Sequence, residues 1–180
     1  MQAAAPSVLT AEDNPITRAD LRLVLEDAGF DVVADARDGV EAVELAREHR
    51  PDVILLDLGL PRLDGIQASQ RILAERHVPI VALTGRSVAL AEEAVAAGVS
   101  RYVMKPFDTA QVVEAVTGAL AAHREQEVRD RRASSLRSLE HLVETLGTPR
   151  NGPSSSSSGP GRRGTSGASS TGETTARDER

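Results

Sequence analysis

The chain has 180 residues and a formal net charge of −6, which gives room for one ordinary core plus an appendage, since single cores usually run to about 100 to 150 residues. Hydrophobic residues make up 40 % of it and aromatics 2 %, so Val, Leu, Ile and Ala must build the core and an aromatic platform for single-stranded nucleic acid is excluded. It holds no Cys, which excludes disulfides, thiolate metal sites and cysteine nucleophiles, and its acidic balance offers no general attraction to DNA or anionic membrane.

The segment Met1 to Ser7 has no Lys, Arg or long apolar run and does not read as a secretory signal. No stretch approaches the roughly 20 apolar residues of a membrane helix. A cytoplasmic location is the expectation.

From Ser7 to about Ala122, short β-rich runs alternate five times with amphipathic helical patterns, the signature of a parallel sheet with crossover helices. The first run, Ser7 to Ala11, leads to Asn14-Pro15, an N-cap followed by Pro at the first helical position. Leu21, Val24, Leu25 and Ala28 then recur at helical spacing, and Gly29 supplies the stop. After the second run, Asp31 to Ala36, Asp38 caps a segment carrying Val43 and Ala46. The third run, Val53 to Asp57, is apolar until its last residue, as suits a central strand covered on both faces. Asp64 caps the helix that carries Ile66 and Leu73. Ile80 to Thr84 precedes a helix marked by Val88, Ala91 and Val95 and ending at Gly98; Arg101 to Lys105 precedes one capped by Asp108, with Val113, Val116 and Leu120.

Beyond His123 the character changes. Arg124 to Arg132 is densely charged, and Leu136, Leu139, Val143 and Leu146 follow 3-4-3 spacing, like two short heptads. From Gly147 onward Ser, Gly, Pro and Arg dominate, which reads as disorder. The expected organisation is a domain over residues 7–123, a charged helical or short coiled-coil extension over 124–146 and a disordered tail over 147–180.

In an open parallel sheet, ligands sit outside the carboxyl ends of the strands at a topological switch point. With a strand order of 2-1-3-4-5, the ends Glu12-Asp13, Asp57, Thr84 and Lys105-Pro106 converge into one pocket. Three carboxylates that close repel one another, and a hard divalent cation resolves the conflict. Mg²⁺ suits oxygen ligands and commonly shares its sphere with phosphate. Asp13 and Asp57 are the expected direct ligands, Glu12 a ligand through water, and Gly59 a main-chain carbonyl ligand. The Asp57 carboxylate is then a candidate nucleophile toward phosphorus, with Lys105 pairing one phosphoryl oxygen and Thr84 donating to another. His49, His77, His123 and His141 show no ligand spacing.

Glu12-Asp13, Asp57-Leu58-Gly59-Leu60-Pro61, Thr84 and Lys105-Pro106-Phe107, in that order and spacing, resemble the CheY-like receiver domains of bacterial two-component response regulators. The resemblance covers about Ser7 to Ala122. It implies a flavodoxin-like (βα)5 fold, Mg²⁺-dependent phosphotransfer from a sensor histidine kinase to Asp57, and a cis Lys105–Pro106 peptide. It also implies a switch in which Thr84 turns toward the phosphoryl group and Tyr102 swings inward, altering the face of the fourth helix, fifth strand and fifth helix. The output is then a partner protein or a homodimer, through that face and residues 124–146. Val78 to Thr84 and the next helix are most similar to receivers of ANTAR-type antitermination regulators. Where those proteins carry an RNA-binding segment, this sequence has a short coil and the Ser/Gly tail, so direct nucleic-acid binding is not expected.

Two other function classes fit less well. An aspartyl phosphohydrolase usually has a second carboxylate two residues after its nucleophile, where this chain has Gly59. A flavodoxin-like cofactor binder needs a first loop rich in free backbone amides, whereas Glu12 and Asp13 repel phosphate unless metal intervenes. The chain is therefore read as a switch, its catalysis limited to its own phosphorylation and dephosphorylation.

Overall fold

The computed structural model describes residues 4–85 and 87–147. The chain divides into two compact units, Met1–Leu139 and Glu140–Arg180. In the first unit five strands alternate with helices: β1 (Ser7–Ala11), α1 (Pro15–Asp27), β2 (Asp31–Ala36), α2 (Gly39–His49), β3 (Val53–Asp57), α3 (Gly65–Glu75), β4 (Ile80–Thr84), α4 (Val88–Ala96) and β5 (Arg101–Met104). The helix α5 (Thr109–Gly147) follows and continues into the second unit. No helix among the described residues is long and apolar enough to cross a membrane.

All strand pairings are parallel and the order is β2-β1-β3-β4-β5, as expected from the alternation of patterns. β3 is central and every residue in it is buried. Successive strand side chains face opposite ways, so Ile54 and Leu56 pack with Ala42 and Ile72 on one side while Val53 and Leu55 pack with Leu21, Leu25 and Val116 on the other. α2, α3 and α4 cover the first face, α1 and α5 the second.

The caps are local and fall where the sequence puts them. Asn14 Oδ1 accepts from Ile16 and Thr17 N–H at 2.9 and 3.2 Å, Asp38 Oδ1 from Val40 and Glu41 at 2.9 Å, and Asp64 Oδ1 from Gln67 at 2.8 Å. Each satisfies helix amides that otherwise lack partners, a contribution of about 1 kcal/mol. Gly29 takes φ +87°, the left-handed conformation that ends α1.

Two helices add detail that the pattern did not give. In α4 the buried residues are Ala91 and Ala94, while Val88 and Val95 are exposed; small side chains let this nine-residue helix lie close on the sheet. α5 shows no break near His123 and runs to Gly147. Within the first unit Leu136 and Leu139 of α5 are exposed, and within the second Leu142 and Val143 are exposed. The side chain of Leu146 and the tail from residue 148 lie outside the described residues.

Candidate functional site

The register brings the polar strand ends together. Ala11 pairs with Leu56, Asp57 with Leu83 and Thr84 with Met104, so the loops that leave β1, β3, β4 and β5 emerge side by side at one edge. Glu12 is buried at the end of β1, its N–H donating to the Ala36 carbonyl at 3.0 Å, and Asp13 beside it is exposed. Asp57 is buried at the end of β3, and the Gly59 N–H donates to its Oδ1 at 3.0 Å. Lys105 leaves β5 through a cis peptide to Pro106, its N–H donating to the Thr84 carbonyl at 2.7 Å.

The Lys105 ammonium reaches across the pocket, donating to Asp57 Oδ2 at 2.7 Å and to Glu12 Oε2 at 2.8 Å. Burial works against that ammonium, but its hydrogen bonds to Asp57 and Glu12 and their negative charges outweigh it and hold the Lys105 pKa above its ordinary value. For Glu12 burial dominates and pushes its carboxyl upward, opposed by the bonds from Lys105 and the Asn14 amide.

Glu12, Asp13 and Asp57 each turn a carboxylate oxygen into the pocket, and these atoms lie within 4.8 Å of one another. Three hard anionic oxygens that close match the donor set of a Mg²⁺-sized ion, which takes few protein carboxylates and keeps the rest of its sphere for water and phosphate oxygens. The residues therefore fit such an ion. The Thr84 hydroxyl adds a second feature: it is fully buried and has no hydrogen-bond partner among the described residues. Buried hydroxyls are normally satisfied, so this one is left available to an oxygen that enters the pocket.

Tyr102 lies apart from this cluster, paired in register with Ala82 and 46 % exposed. It lines an open groove with Val95, Met104, Gln111 and Glu114. Sequence reasoning had missed two arginines. Arg18, one turn into α1, donates to the Glu12 and Asp13 carbonyls at 2.5 and 3.4 Å and clamps the loop that bears both acids. Arg62 binds Asp38 across two loops. Neither has a spacing signal: Arg18 bonds main-chain carbonyls, which any sequence offers, and Arg62 reaches a residue 24 positions away that is close only in the folded chain. Of the histidines, His123 lies 3.8 Å from Glu127, its neighbour one turn along α5.

Known proteins place this architecture. Residues 8–117 match the family described as response regulator receiver domain. The transcriptional regulatory protein PdtaR of Mycobacterium tuberculosis is 43 % identical over 119 residues, 66 % of this chain and 58 % of that protein, so the chain spans less than two thirds of that relative. The polar-differentiation response regulator DivK of Brucella anthropi is 33 % identical over 118 residues, covering 63 % of this chain and 95 % of DivK. Among solved structures, the signal receiver domain of the putative response regulator NarL from M. tuberculosis superposes with a TM-score of 0.63 at 26 % identity, covering 66 % of this chain and 98 % of that one. With the sheet order, the acidic pocket and the family match in agreement, the chain belongs to the response regulator receiver domains of two-component signalling.

Proposed function

We propose that the protein is a phosphorylation-driven switch that takes a phosphoryl group from a sensor histidine kinase onto Asp57. The observation that carries this reading is the setting of Asp57: a buried carboxylate at the end of the central strand, bonded to Lys105 at 2.7 Å and clustered with Glu12 and Asp13. A carboxylate oxygen of Asp57 attacks phosphorus, the P–N bond of the donor phosphohistidine breaks, and its electron pair returns to the imidazole. Mg²⁺ bound by Asp13 and Asp57, by Glu12 through water and by the Gly59 carbonyl would offset the negative charge that three carboxylates and a phosphoryl group bring together. Lys105, already poised on Asp57, pairs one phosphoryl oxygen, and the unpartnered Thr84 hydroxyl donates to another.

The turn of Thr84 toward the phosphoryl group makes room for Tyr102 to move from its half-exposed position, changing the α4/β5/α5 face that meets a partner protein or a second copy. The receiver occupies residues 7–123 in this reading, residues 124–146 form an association helix and 147–180 a Ser/Gly/Pro-rich tail. Exposed Leu136 and Leu139 support the association role. In this reading the protein works in the cytoplasm and acts through protein contacts. It is not an enzyme beyond its own phosphorylation and hydrolysis.

Acetyl phosphate with Mg²⁺ should add one acid-labile phosphoryl group, seen as a single increment in intact mass. Asp57→Asn should abolish it, and undiminished labelling of that variant refutes the assignment.

A further inference from the structure

The loop that follows Asp57 is fastened to the loop between β2 and α2 by an ion pair for which the phosphoacceptor chemistry has no use. Arg62 Nη1 donates to Asp38 Oδ2 at 3.0 Å. Asp38 is buried, and its Oδ1 is already held by the Val40 and Glu41 amides that it caps. The carboxylate is thus a fixed post, and the guanidinium is the movable half of the pair.

The main chain is tied at the same place. The Gly39 N–H donates to the Pro61 carbonyl at 3.3 Å. A Cβ on Gly39 would fall 1.9 Å from the Leu63 carbonyl oxygen, so the two loops touch backbone to backbone. Arg62 sits between Pro61 and Leu63 at φ +65°, in a three-residue turn closed by the Leu63 N–H on the Pro61 carbonyl at 2.7 Å. A residue with a side chain is strained in such a turn, and glycine would enter it freely. Arginine therefore stands where the backbone alone favours glycine, and its contact with Asp38 is what the strain secures.

Each fastened loop leads back to the acidic pocket. Asp57 ends the strand from which the Arg62 loop departs. Ala36, two residues before Asp38, accepts the Glu12 N–H. The Asp38–Arg62 contact consequently joins the loop that follows Asp57 to the segment whose Ala36 carbonyl holds the Glu12 amide. The carboxylates of the pocket repel when ionised, and the hydrogen bonds of the Lys105 ammonium go to Glu12 and Asp57.

We infer that Asp38–Arg62 is a positioning brace for the divalent site. It holds the β3–α3 loop against the β2–α2 loop so that Glu12, Asp13 and Asp57 keep the spacing a cation needs before the cation arrives. The inference rests on the reading of those three acids as a metal site.

Mn²⁺ binding to the full chain, followed by electron paramagnetic resonance of the free ion without phosphodonor, tests it alongside thermal unfolding in metal-free buffer. Arg62→Gly deletes the guanidinium and relieves the backbone, so the Mn²⁺ dissociation constant should rise at least threefold while the metal-free melting midpoint stays level or increases. Asp38→Asn, which keeps a capping oxygen, should weaken binding similarly, and Arg62→Lys should recover part of the loss. Affinity in Arg62→Gly within twofold of wild type overturns the brace and leaves the metal site standing. A loss matched by a lower melting midpoint, with no recovery in Arg62→Lys, overturns it in favour of stability alone. No Mn²⁺ binding by the wild-type chain overturns the brace and the metal site together.

Discussion

Lys105 serves two acids with one ammonium, and the energetics of the pocket turn on it. Lys105→Met keeps most of the side-chain bulk but leaves Glu12 and Asp57 facing each other across a buried space. A hydrogen bond to a charged group contributes about 1.5 to 3 kcal/mol to stability, and with the ammonium partly exposed to screening solvent the two bonds together should be worth about that much, which the variant loses in metal-free urea unfolding. Added Mg²⁺ should narrow the gap by supplying the missing positive charge. The pH dependence has a definite sign. Because the folded-state pKa of Lys105 is raised above 10.5, its contribution is fully present below 10.5 and is lost as pH rises through the folded value. The difference between wild type and Lys105→Met should therefore close on the alkaline side of 10.5. A gap that persists unchanged there would mean that packing, not charge, accounts for it.

The elements show how closely backbone and site are joined. Gly65 opens α3, and a Cβ there would lie 2.3 Å from the Asp57 carbonyl oxygen and 2.6 Å from Leu58 Cα. Gly65→Ala should force α3 away from the end of β3, at a cost of about 1 to 3 kcal/mol for overpacking. It should also slow phosphoryl uptake at Asp57, since the strand end moves with the helix. Denaturant unfolding and the rate of acetyl phosphate labelling check the two effects separately; wild-type values in both would show that the loop absorbs a methyl group. At this scale the sequence was largely legible. Asn14, Asp38 and Asp64 were readable as caps because a cap bonds amides two or three residues away. α4 was readable as a helix but not by its buried face, because Val88 and Val95 carry the stronger apolar signal while Ala91 and Ala94 make the contact. Hydrophobicity alone does not say which face can approach a sheet closely.

For the whole molecule, the exposed apolar stripe late in α5 is the feature that bears on assembly. Among the described residues the buried side chains of α5 end with Leu120, and Leu136 and Leu139 are 61 % and 58 % exposed. An isolated two-heptad stripe is marginal as a helix pair, so any association should be weak and depend on concentration. The double variant Leu136→Glu/Leu139→Glu should shift the light-scattering mass toward the monomer at high concentration without changing phosphoryl uptake. An identical mass profile for variant and wild type would remove this stripe from the assembly.

The sequence by itself determined the order of strands and helices, most of the caps and the identity of the residues at each strand end, because these follow from periodicity and from contacts only a few residues apart. From those strand ends it also marked Glu12, Asp13, Asp57, Thr84 and Lys105 as candidates for a common pocket. Only the tertiary structure decided how they meet: that one ammonium reaches acids 48 and 93 residues away, that the Thr84 hydroxyl is left without a partner among the described residues, and that Arg62 crosses 24 residues to Asp38. Such contacts depend on the register between parallel strands and on single left-handed residues in loops. Neither leaves a repeating pattern along the chain.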